Sequence, residues 1–319
     1  MKYRKIVPAL TLLLIPLGLT LIPPKLAYAD SPIFYWKLNE AGGSYYQGAI
    51  DEVAVHEGIL STREIRTHYY LAPVYNESCT DPVRIMPLGD SITQGHSSGV
   101  DDVTKQVSYR KYLWDSLVAS GYNVDFVGSQ TNGEFYASEG FDPNHEGHPS
   151  WSDLRVAQNI YDEGEKWLSN HPADVILLHI GTNAVNPDEG DVERILNEID
   201  DYEAVNNEVI VILARIINRI TYSPTTTEFN DNVEAMAQAR IDAGDKIIIV
   251  DMEDGAGLSY AAQPGGDMWN DLHPYSTGYK KMANVWLGAL ATFLPDCSPT
   301  PTPTPTPTPN RVFLPLIIN

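Results

Sequence analysis

The sequence predicts a three-layer α/β/α domain built on a five-stranded parallel sheet in a flavodoxin-like arrangement. From Val83 onward, short runs rich in β-branched residues alternate with longer amphipathic stretches. Such alternation is typical of parallel strands joined by helices. Polar motifs follow the predicted strands, where parallel sheets gather their functional residues. We predict strands at 83–87, 123–127, 174–180, 209–213 and 246–251, and helices at 109–119, 229–243 and 278–293.

Length and charge exclude some classes of function. The chain has 319 residues, enough for one α/β domain of about 200 residues with additional segments. Its 42 acidic and 21 basic side chains give a formal net charge of −21. Such a surface repels nucleic-acid phosphates and anionic lipid headgroups, so we expect no nucleic-acid partner. The charge either favours neutral or weakly charged substrates or only keeps the protein soluble, and the sequence leaves the oligomeric state open.

Residues 1–29 are predicted to be a secretory signal peptide. A basic N-terminus precedes an apolar run at 7–22, and Ala27 and Ala29 form a small-residue cleavage site,. A membrane anchor is the alternative, because the run approaches the length of a short spanning helix. Prolines interrupt the run, however, and the cleavage site follows directly. We therefore expect a secreted or cell-surface protein with no spanning segment after signal cleavage.

The chain contains two cysteines, Cys79 and Cys297. In an exported protein, an isolated pair is expected to form a disulfide. The two residues lie at the ends of the region from 79 to 297 that carries the motifs described below. Because the Cys and His spacings of zinc sites are absent, we expect no metal site.

Residues 30–78 resemble fragments of a LamG-like β-sandwich. The segment from Phe34 to Glu40 resembles the opening strand of that fold, and Gly48 to Val55 resembles its closing segment. The middle of the sandwich is missing, and about 40 residues bury too little surface to build two sheets. We interpret the segment as a truncated remnant, and a complete carbohydrate-binding module is the alternative.

The C-terminal region contains a linker and a short tail. Pro and Thr alternate through residues 298–309, which favours an extended, semi-rigid conformation. Residues 310–319 form an apolar tail that is too short to span a bilayer,. This tail is either an attachment element or only an apolar terminus.

A candidate nucleophile follows the first predicted strand. Ser91 stands in the sequence Gly89-Asp90-Ser91, with Gly95 four residues later. A serine nucleophile must stand where substrate can approach, and it needs a base to remove its proton. A turn at the end of a strand supplies the exposure. Alone the tripeptide is a weak signal, because the same residues often form an ordinary turn.

Two further motifs supply the other groups that acyl transfer requires. Gly181-Thr182-Asn183 ends the third predicted strand, and an Asn amide can donate to a developing oxyanion. His273 lies within Asn270-Asp271-Leu272-His273-Pro274, directly before the last predicted helix. An imidazole at that place can act as a general base.

In this order the three motifs resemble those of the SGNH (GDSL-like) hydrolases, and the likeness covers nearly all of residues 83–294. The resemblance implies that Ser91 is the nucleophile and first oxyanion donor. It implies that Asn183 is an oxyanion donor and that His273 is the general base. The block from His145 to Trp151 looks like that of carbohydrate esterase family 3, as do Val124 to Ser129 and Gly278-Tyr279. Members of that family are known for deacetylating xylan.

The sequence departs from the family pattern at three places. Where the family has a glycine whose N–H contributes to the oxyanion site, this chain has Ser150, with Gly147 three residues earlier. Ala184 follows Asn183 where Asp is common. The acidic residue expected three positions before the base is Asn270, and Asp271 lies one residue nearer. Either of these two could orient His273, and we favour Asp271 because a carboxylate stabilises an imidazolium.

We therefore expect an extracellular serine esterase that removes short acyl groups, acetyl above all, from a carbohydrate ester without a metal or organic cofactor. The first alternative is a lipid or general carboxylester hydrolase, although the loops show no evident apolar insertion. The second is a non-catalytic carbohydrate-binding or surface-attached protein. Arg215 could orient a substrate oxygen, and three aromatic residues could stack on a sugar ring: Trp151, Trp269 and Tyr275.

Overall fold

The computed structural model describes residues 79–96, 98–183, 186–295 and 297. The predicted signal peptide at 1–29, the LamG-like segment at 30–78, the linker at 298–309 and the tail at 310–319 lie outside these residues. The described part therefore corresponds to the predicted hydrolase domain at 79–297.

Five parallel strands form the centre of the sheet: β1 (Val83–Gly89), β2 (Val124–Phe126), β5 (Val175–His179), β6 (Ile210–Arg215) and β7 (Ile247–Asp251). Their order in the sheet is β2-β1-β5-β6-β7. This is the strand order of flavodoxin-like sheets, and the predicted fold class is confirmed.

Two short strands that were not predicted enlarge the sheet at the side of β1 that also carries β2. β4 (Asn144–Gly147) runs parallel to the end of β1, where Gly147 lies opposite Gly89. β3 (Gln130–Thr131) pairs antiparallel with β4. This extension brings the loop after β4 to the same sheet edge as the loop after β1.

Helices cover both faces of the sheet and complete the three layers. α2 (Ser108–Ala119) and α7 (Ser276–Leu290) pack on one face, where Tyr109 and Trp286 are fully buried. The opposite face is covered by the remaining helices that follow β4, β5 and β6. These are α3 (Asp153–Ala157), α4 (Trp167–Asn170), α5 (Gly190–Glu203) and α6 (Pro224–Ala243), and α1 (Ser91–Gln94) lies directly after β1.

Two glycines allow the functional loops to approach the sheet. A Cβ on Gly89 would stand 2.3 Å from the carbonyl oxygen of His179, so β1 and β5 can come together at this edge only with glycine there. Gly181 has a φ of +126°, and a Cβ added to it would stand 2.4 Å from the ring of Phe229. The glycines of the two motifs therefore serve close backbone approach.

The ends of the domain are joined covalently. Cys79 and Cys297 form a disulfide, and their Cα atoms are 5.6 Å apart. Across the residues described by the structure, no helix has both the length and the apolar character needed to cross a membrane.

Candidate active site

Ser91 is the first residue of α1, directly after β1. The preceding Asp90 caps this helix, because its Oδ1 accepts a hydrogen bond from the Ile92 N–H at 2.8 Å. Ser91 is only 4% exposed, and its Oγ lies 2.9 Å from Nε2 of His273. The predicted serine and histidine, separated by 182 positions in the sequence, are therefore brought into hydrogen-bond contact.

Asp90 is a site residue to which the sequence analysis gave no role. It is fully buried, and burial raises its pKa to about 7. Its Oδ2 also lies 3.4 Å from the amide nitrogen of Asn183. Its place between Ser91 and Asn183 gives it a positioning role at the base of the site, and the Gly-Asp-Ser motif was the available signal.

His273 is held in a loop just before α7. Its backbone carbonyl accepts a hydrogen bond from the Trp269 N–H at 2.8 Å, and the Asp271 carbonyl accepts one from the Ile220 N–H at 2.9 Å. The loop after β6 and the loop before α7 therefore fix the position from which the imidazole reaches Ser91.

Asn270 determines the tautomer of His273. Its Oδ1 accepts hydrogen bonds from the N–H groups of Leu272 at 2.9 Å and His273 at 2.8 Å. Two N–H donors require an oxygen at this position, so they fix the orientation of the amide. The same oxygen lies 3.1 Å from Nδ1 of His273. Nδ1 therefore carries the proton, and Nε2 presents its lone pair to the hydroxyl of Ser91.

The preference for Asp271 as the residue that orients His273 is wrong in this structure. The Asp271 carboxylate turns to the loop after β6 and accepts a hydrogen bond from the Thr221 N–H at 2.7 Å. That hydrogen bond keeps the pKa of Asp271 below its ordinary value. Because the Asx-type turn points the Asn270 side chain back over its own loop, the alternative, Asn270, occupies the position beside Nδ1.

The environment of His273 favours its neutral form. Burial lowers its pKa to about 4, and the nearby imidazole of His96 acts in the same direction. The two ring centroids are 6.4 Å apart. An imidazole that is neutral over most of the pH range is suited to accept a proton.

Asn183 lies just beyond the end of β5. Its Nδ2 donates a hydrogen bond to the Trp151 carbonyl at 2.9 Å and reaches Asp90 at 3.4 Å. These contacts place the amide beside the residue that precedes Ser91. The third predicted motif therefore joins the other two at one edge of the sheet.

Ser150 and Gly147, the two candidate backbone donors, differ in the structure. The Gly147 N–H donates to Nδ1 of His145 at 2.9 Å, so the expectation that Gly147 is an oxyanion donor is corrected. Ser150 has a φ of +64° in a turn closed by the Trp151 N–H and the His148 carbonyl at 3.2 Å. With proline before it, this is the geometry of a type II turn, and no partner of the Ser150 N–H occurs in the described chain.

The residues that the sequence suggested as substrate contacts lie in different environments. Arg215 forms ion pairs with Asp231 at 2.8 Å and Glu234 at 2.6 Å, so it is neutralised within the protein rather than turned to a substrate. Trp269 is 49% exposed and stacks with Tyr275 in the loop that carries His273, at 6.1 Å between centroids. Trp151 instead packs between His148 and Arg155.

The histidines beside this site take part in internal hydrogen bonds. Nε2 of His145 lies 3.1 Å from Asn132, and Nε2 of His148 lies 2.5 Å from Glu146. In the described ranges, no group of three or more His, Cys, Asp or Glu side chains is arranged to hold a metal ion.

The chain is similar in sequence and in structure to known ester hydrolases. Residues 85–286 match the family described as GDSL-like Lipase/Acylhydrolase. A family 3 carbohydrate esterase of Clostridium thermocellum is 30% identical, with a TM-score of 0.54 over 66% of this chain and 100% of that one. An acetyl esterase, solved as a serine-to-alanine mutant with an acetate ion, is 28% identical, with a TM-score of 0.52 over 65% of this chain and 96% of that one.

A multidomain esterase of Ruminococcus flavefaciens is 26% identical over 244 residues, which are 68% of this chain and 29% of that protein. The matched part of this chain covers 29% of the length of that relative and 54% of the length of a second one, so the chain spans less than two thirds of the curated relatives that it matches. The family match covers more than half of the chain and includes the loops of Ser91, Asn183 and His273. The chain therefore belongs to the GDSL-like lipase/acylhydrolase family of carboxylic ester hydrolases, the SGNH hydrolases.

Proposed function

We propose that this protein is an esterase that removes short acyl groups, acetyl above all, from a carbohydrate by a Ser-His mechanism. One observation carries the proposal: Oγ of Ser91 lies 2.9 Å from Nε2 of His273, and Asn270 holds the other ring nitrogen at 3.1 Å. This is the arrangement of an activated nucleophile, a base and a group that orients the base.

In the first half of the reaction, Oγ of Ser91 attacks the ester carbonyl carbon while its proton passes to Nε2 of His273. The tetrahedral intermediate collapses, the bond to the sugar oxygen breaks, and that oxygen takes the proton from Nε2. The acyl group remains on Ser91. In the second half, His273 takes a proton from water while the water oxygen attacks the acyl carbon. The intermediate collapses, the bond to Oγ of Ser91 breaks, Oγ takes the proton back from Nε2 of His273, and the carboxylic acid leaves.

Three groups are proposed to stabilise the oxyanion: the N–H of Ser91, the N–H of Ser150 and the amide of Asn183. Among the described residues neither backbone N–H has a partner. The Asn183 contact to Asp90 is long, at 3.4 Å, which leaves one amide N–H available. Donors that are fixed before the reaction stabilise the transition state without reorganisation.

The proposal of a carbohydrate acetyl ester rests on relatives and on one surface feature. The similar structures include proteins named as a family 3 carbohydrate esterase and an acetyl esterase. Trp269, half exposed beside the His273 loop, presents an aromatic ring of the kind that stacks on sugars,. Export is proposed from the signal-like residues 1–29 and the Cys79–Cys297 disulfide, because disulfides persist in oxidising compartments,.

The test compares acetate release from acetylated xylan and from p-nitrophenyl acetate for the wild type and Ser91→Ala. We expect Ser91→Ala to lose about 10³-fold or more in rate while its circular dichroism spectrum is unchanged. Ser120→Ala, at an exposed serine after α2, is the matched control. Turnover retained by Ser91→Ala would remove the proposed nucleophile.

The same assay separates the alternatives. A faster rate on p-nitrophenyl octanoate than on the acetate would favour a lipid or general carboxylester hydrolase. If the protein is retarded in an affinity gel that contains acetylated xylan but hydrolyses none of these esters, the non-catalytic carbohydrate-binding alternative would be favoured.

A further inference from the structure

A cavity of about 330 Å³ lies between the end of β5 and the start of α6. Asn183 is one of its lining residues, so the cavity adjoins the place where the ester would react. Arg219, Ser223 and Thr225 also line it, and Phe229 contributes an apolar surface. The proposed reaction does not use these four residues.

The guanidinium of Arg219 has no hydrogen-bonded partner among the described residues, although its charge acts on the Asp271 carboxylate. Its Nε is buried and has no hydrogen-bond partner, and its guanidinium makes no ion pair with the described residues. Asp271, the carboxylate whose pKa it lowers, is turned to the Thr221 N–H. By contrast, Arg84 is paired with Asp174 at 2.6 Å. A buried donor without a partner is unfavourable, so an acceptor supplied by a ligand would stabilise Arg219.

The start of α6 points a second positive group at the same cavity. This helix has 20 residues and is capped by Ser223, whose Oγ accepts from the Thr226 N–H at 3.2 Å. Pro224 has no N–H, and in the part of the chain that is described the Thr225 N–H has no acceptor. The N-terminus of a long helix carries partial positive charge and binds anions.

We infer that this cavity binds a carboxylate carried by the sugar residue of the substrate, so that the enzyme prefers acetyl esters of acidic sugars to those of neutral sugars. The inference rests on the proposed esterase function and names its substrate class. A guanidinium can hold a carboxylate through two parallel hydrogen bonds, and the Thr225 N–H adds a third donor. The net charge of −21 opposes such substrates at long range, so the preference arises from these local contacts.

The experiment compares three small esters. The first two are an acetylated methyl glucuronoside and its methyl ester, in which the sugar carboxylate is blocked. The third is a glucoside esterified with hemisuccinate, in which the carboxylate is on the acyl group instead of the sugar. We expect the wild type to favour the free uronate over its methyl ester by about tenfold in kcat/KM, as for one charge-assisted contact. Arg219→Gln should reduce this ratio to about one. Arg194→Gln removes a partly exposed cation whose ion pair among the described residues is with Glu163 at 3.7 Å, and it should keep the wild-type ratio,.

The outcomes separate this inference from the proposed function. Equal rates on the two uronate esters in the wild type, or a preference that persists in Arg219→Gln, would overturn the inference while esterase activity stands. A preference for the hemisuccinate alone would overturn the assignment of the carboxylate to the sugar. If no ester is hydrolysed, calorimetric binding of glucuronate to Ser91→Ala still decides: binding lost in Ser91→Ala/Arg219→Gln supports the cavity, and the absence of binding overturns it.

Discussion

The amide oxygen of Asn270 lies 3.1 Å from Nδ1 of His273, where a carboxylate would stand in a Ser-His-Asp triad,. Two backbone N–H groups hold that oxygen in place. A neutral amide of this kind fixes the tautomer and the direction of the imidazole. It does not supply the negative charge that stabilises an imidazolium, so the base is oriented well but remains weak.

The acid limb of the pH profile should reflect this neutral partner. A general base works only when unprotonated, and burial lowers the pKa of His273 to about 4. We therefore expect kcat/KM to stay high in mildly acidic solution and to fall as the pH drops through about 4. Asn270→Asp places an opposite charge beside the ring, which raises the pKa of the imidazole by about one to three pH units.

Measuring kcat/KM against pH for the wild type and Asn270→Asp tests this expectation. The acid limb of the variant should move to higher pH, and its rate at pH 8 should equal or exceed that of the wild type. Asn206→Asp, at an exposed asparagine after α5, serves as a control for the added charge. Superimposable profiles would show that Asn270 does not face the base during catalysis.

Asp271→Ala should have little effect on the rate. The carboxylate accepts the Thr221 N–H and lies in the loop rather than at the imidazole, so its loss removes one exposed hydrogen bond worth about 1 kcal/mol of stability. We expect kcat within about threefold of the wild type. A loss of several orders of magnitude would instead mean that the loop shifts in solution and that Asp271 is the partner of His273.

Asn183→Ala should lower kcat rather than raise KM. If its amide stabilises the oxyanion, the interaction is made in the transition state, and a loss of about 10²-fold or more is expected. Steady-state kinetics on p-nitrophenyl acetate give the two constants separately. An effect confined to KM would assign Asn183 to substrate binding.

The sequence was sufficient to predict the parallel sheet and the meeting of its three motifs. Strands with runs of four or more apolar residues, such as Val175–His179, have a clear pattern, and the carboxyl ends of parallel strands share one edge. β3 (Gln-Thr) and β4 (Asn-His-Glu-Gly) contain no apolar residue, so no apolar pattern marks them as strands. α5 was not predicted, although its buried residues recur at helical spacing: Val192, Ile195, Leu196 and Ile199,.

The choice between Asn270 and Asp271 could not be made from sequence. Adjacent side chains point in different directions, and the direction depends on the turn that the backbone makes. Here that turn is fixed by distant contacts, such as the hydrogen bond from Ile220 to the Asp271 carbonyl at 2.9 Å. In the same way, the pairing of the Gly147 N–H with His145 depends on a side-chain rotamer.

Cys79 and Cys297 should be oxidised in protein that is produced by secretion. They are 218 positions apart, and closing a loop of that length restricts the unfolded chain by about 5 kcal/mol in the chain-entropy model. Thiol titration of the denatured protein should find no free thiol before reduction and two after it. Reduction should also lower the midpoint of thermal unfolding, and two titratable thiols without a reductant would contradict the prediction.

Ser150 should be replaceable by glycine with a gain in stability and no loss of rate. Its φ of +64° lies in the left-handed region, which costs a residue with a Cβ about 1 kcal/mol relative to glycine. Relief of that strain should raise Tm by about 2–4 °C in a domain of this size. The proposed oxyanion donor is the backbone N–H, which glycine retains, so kcat should stay near the wild-type value. Ser150→Ala, which keeps the Cβ and removes the hydroxyl, is the matched control: an equal rise in Tm for both variants would show that the hydroxyl, and not the backbone conformation, was the source of the strain.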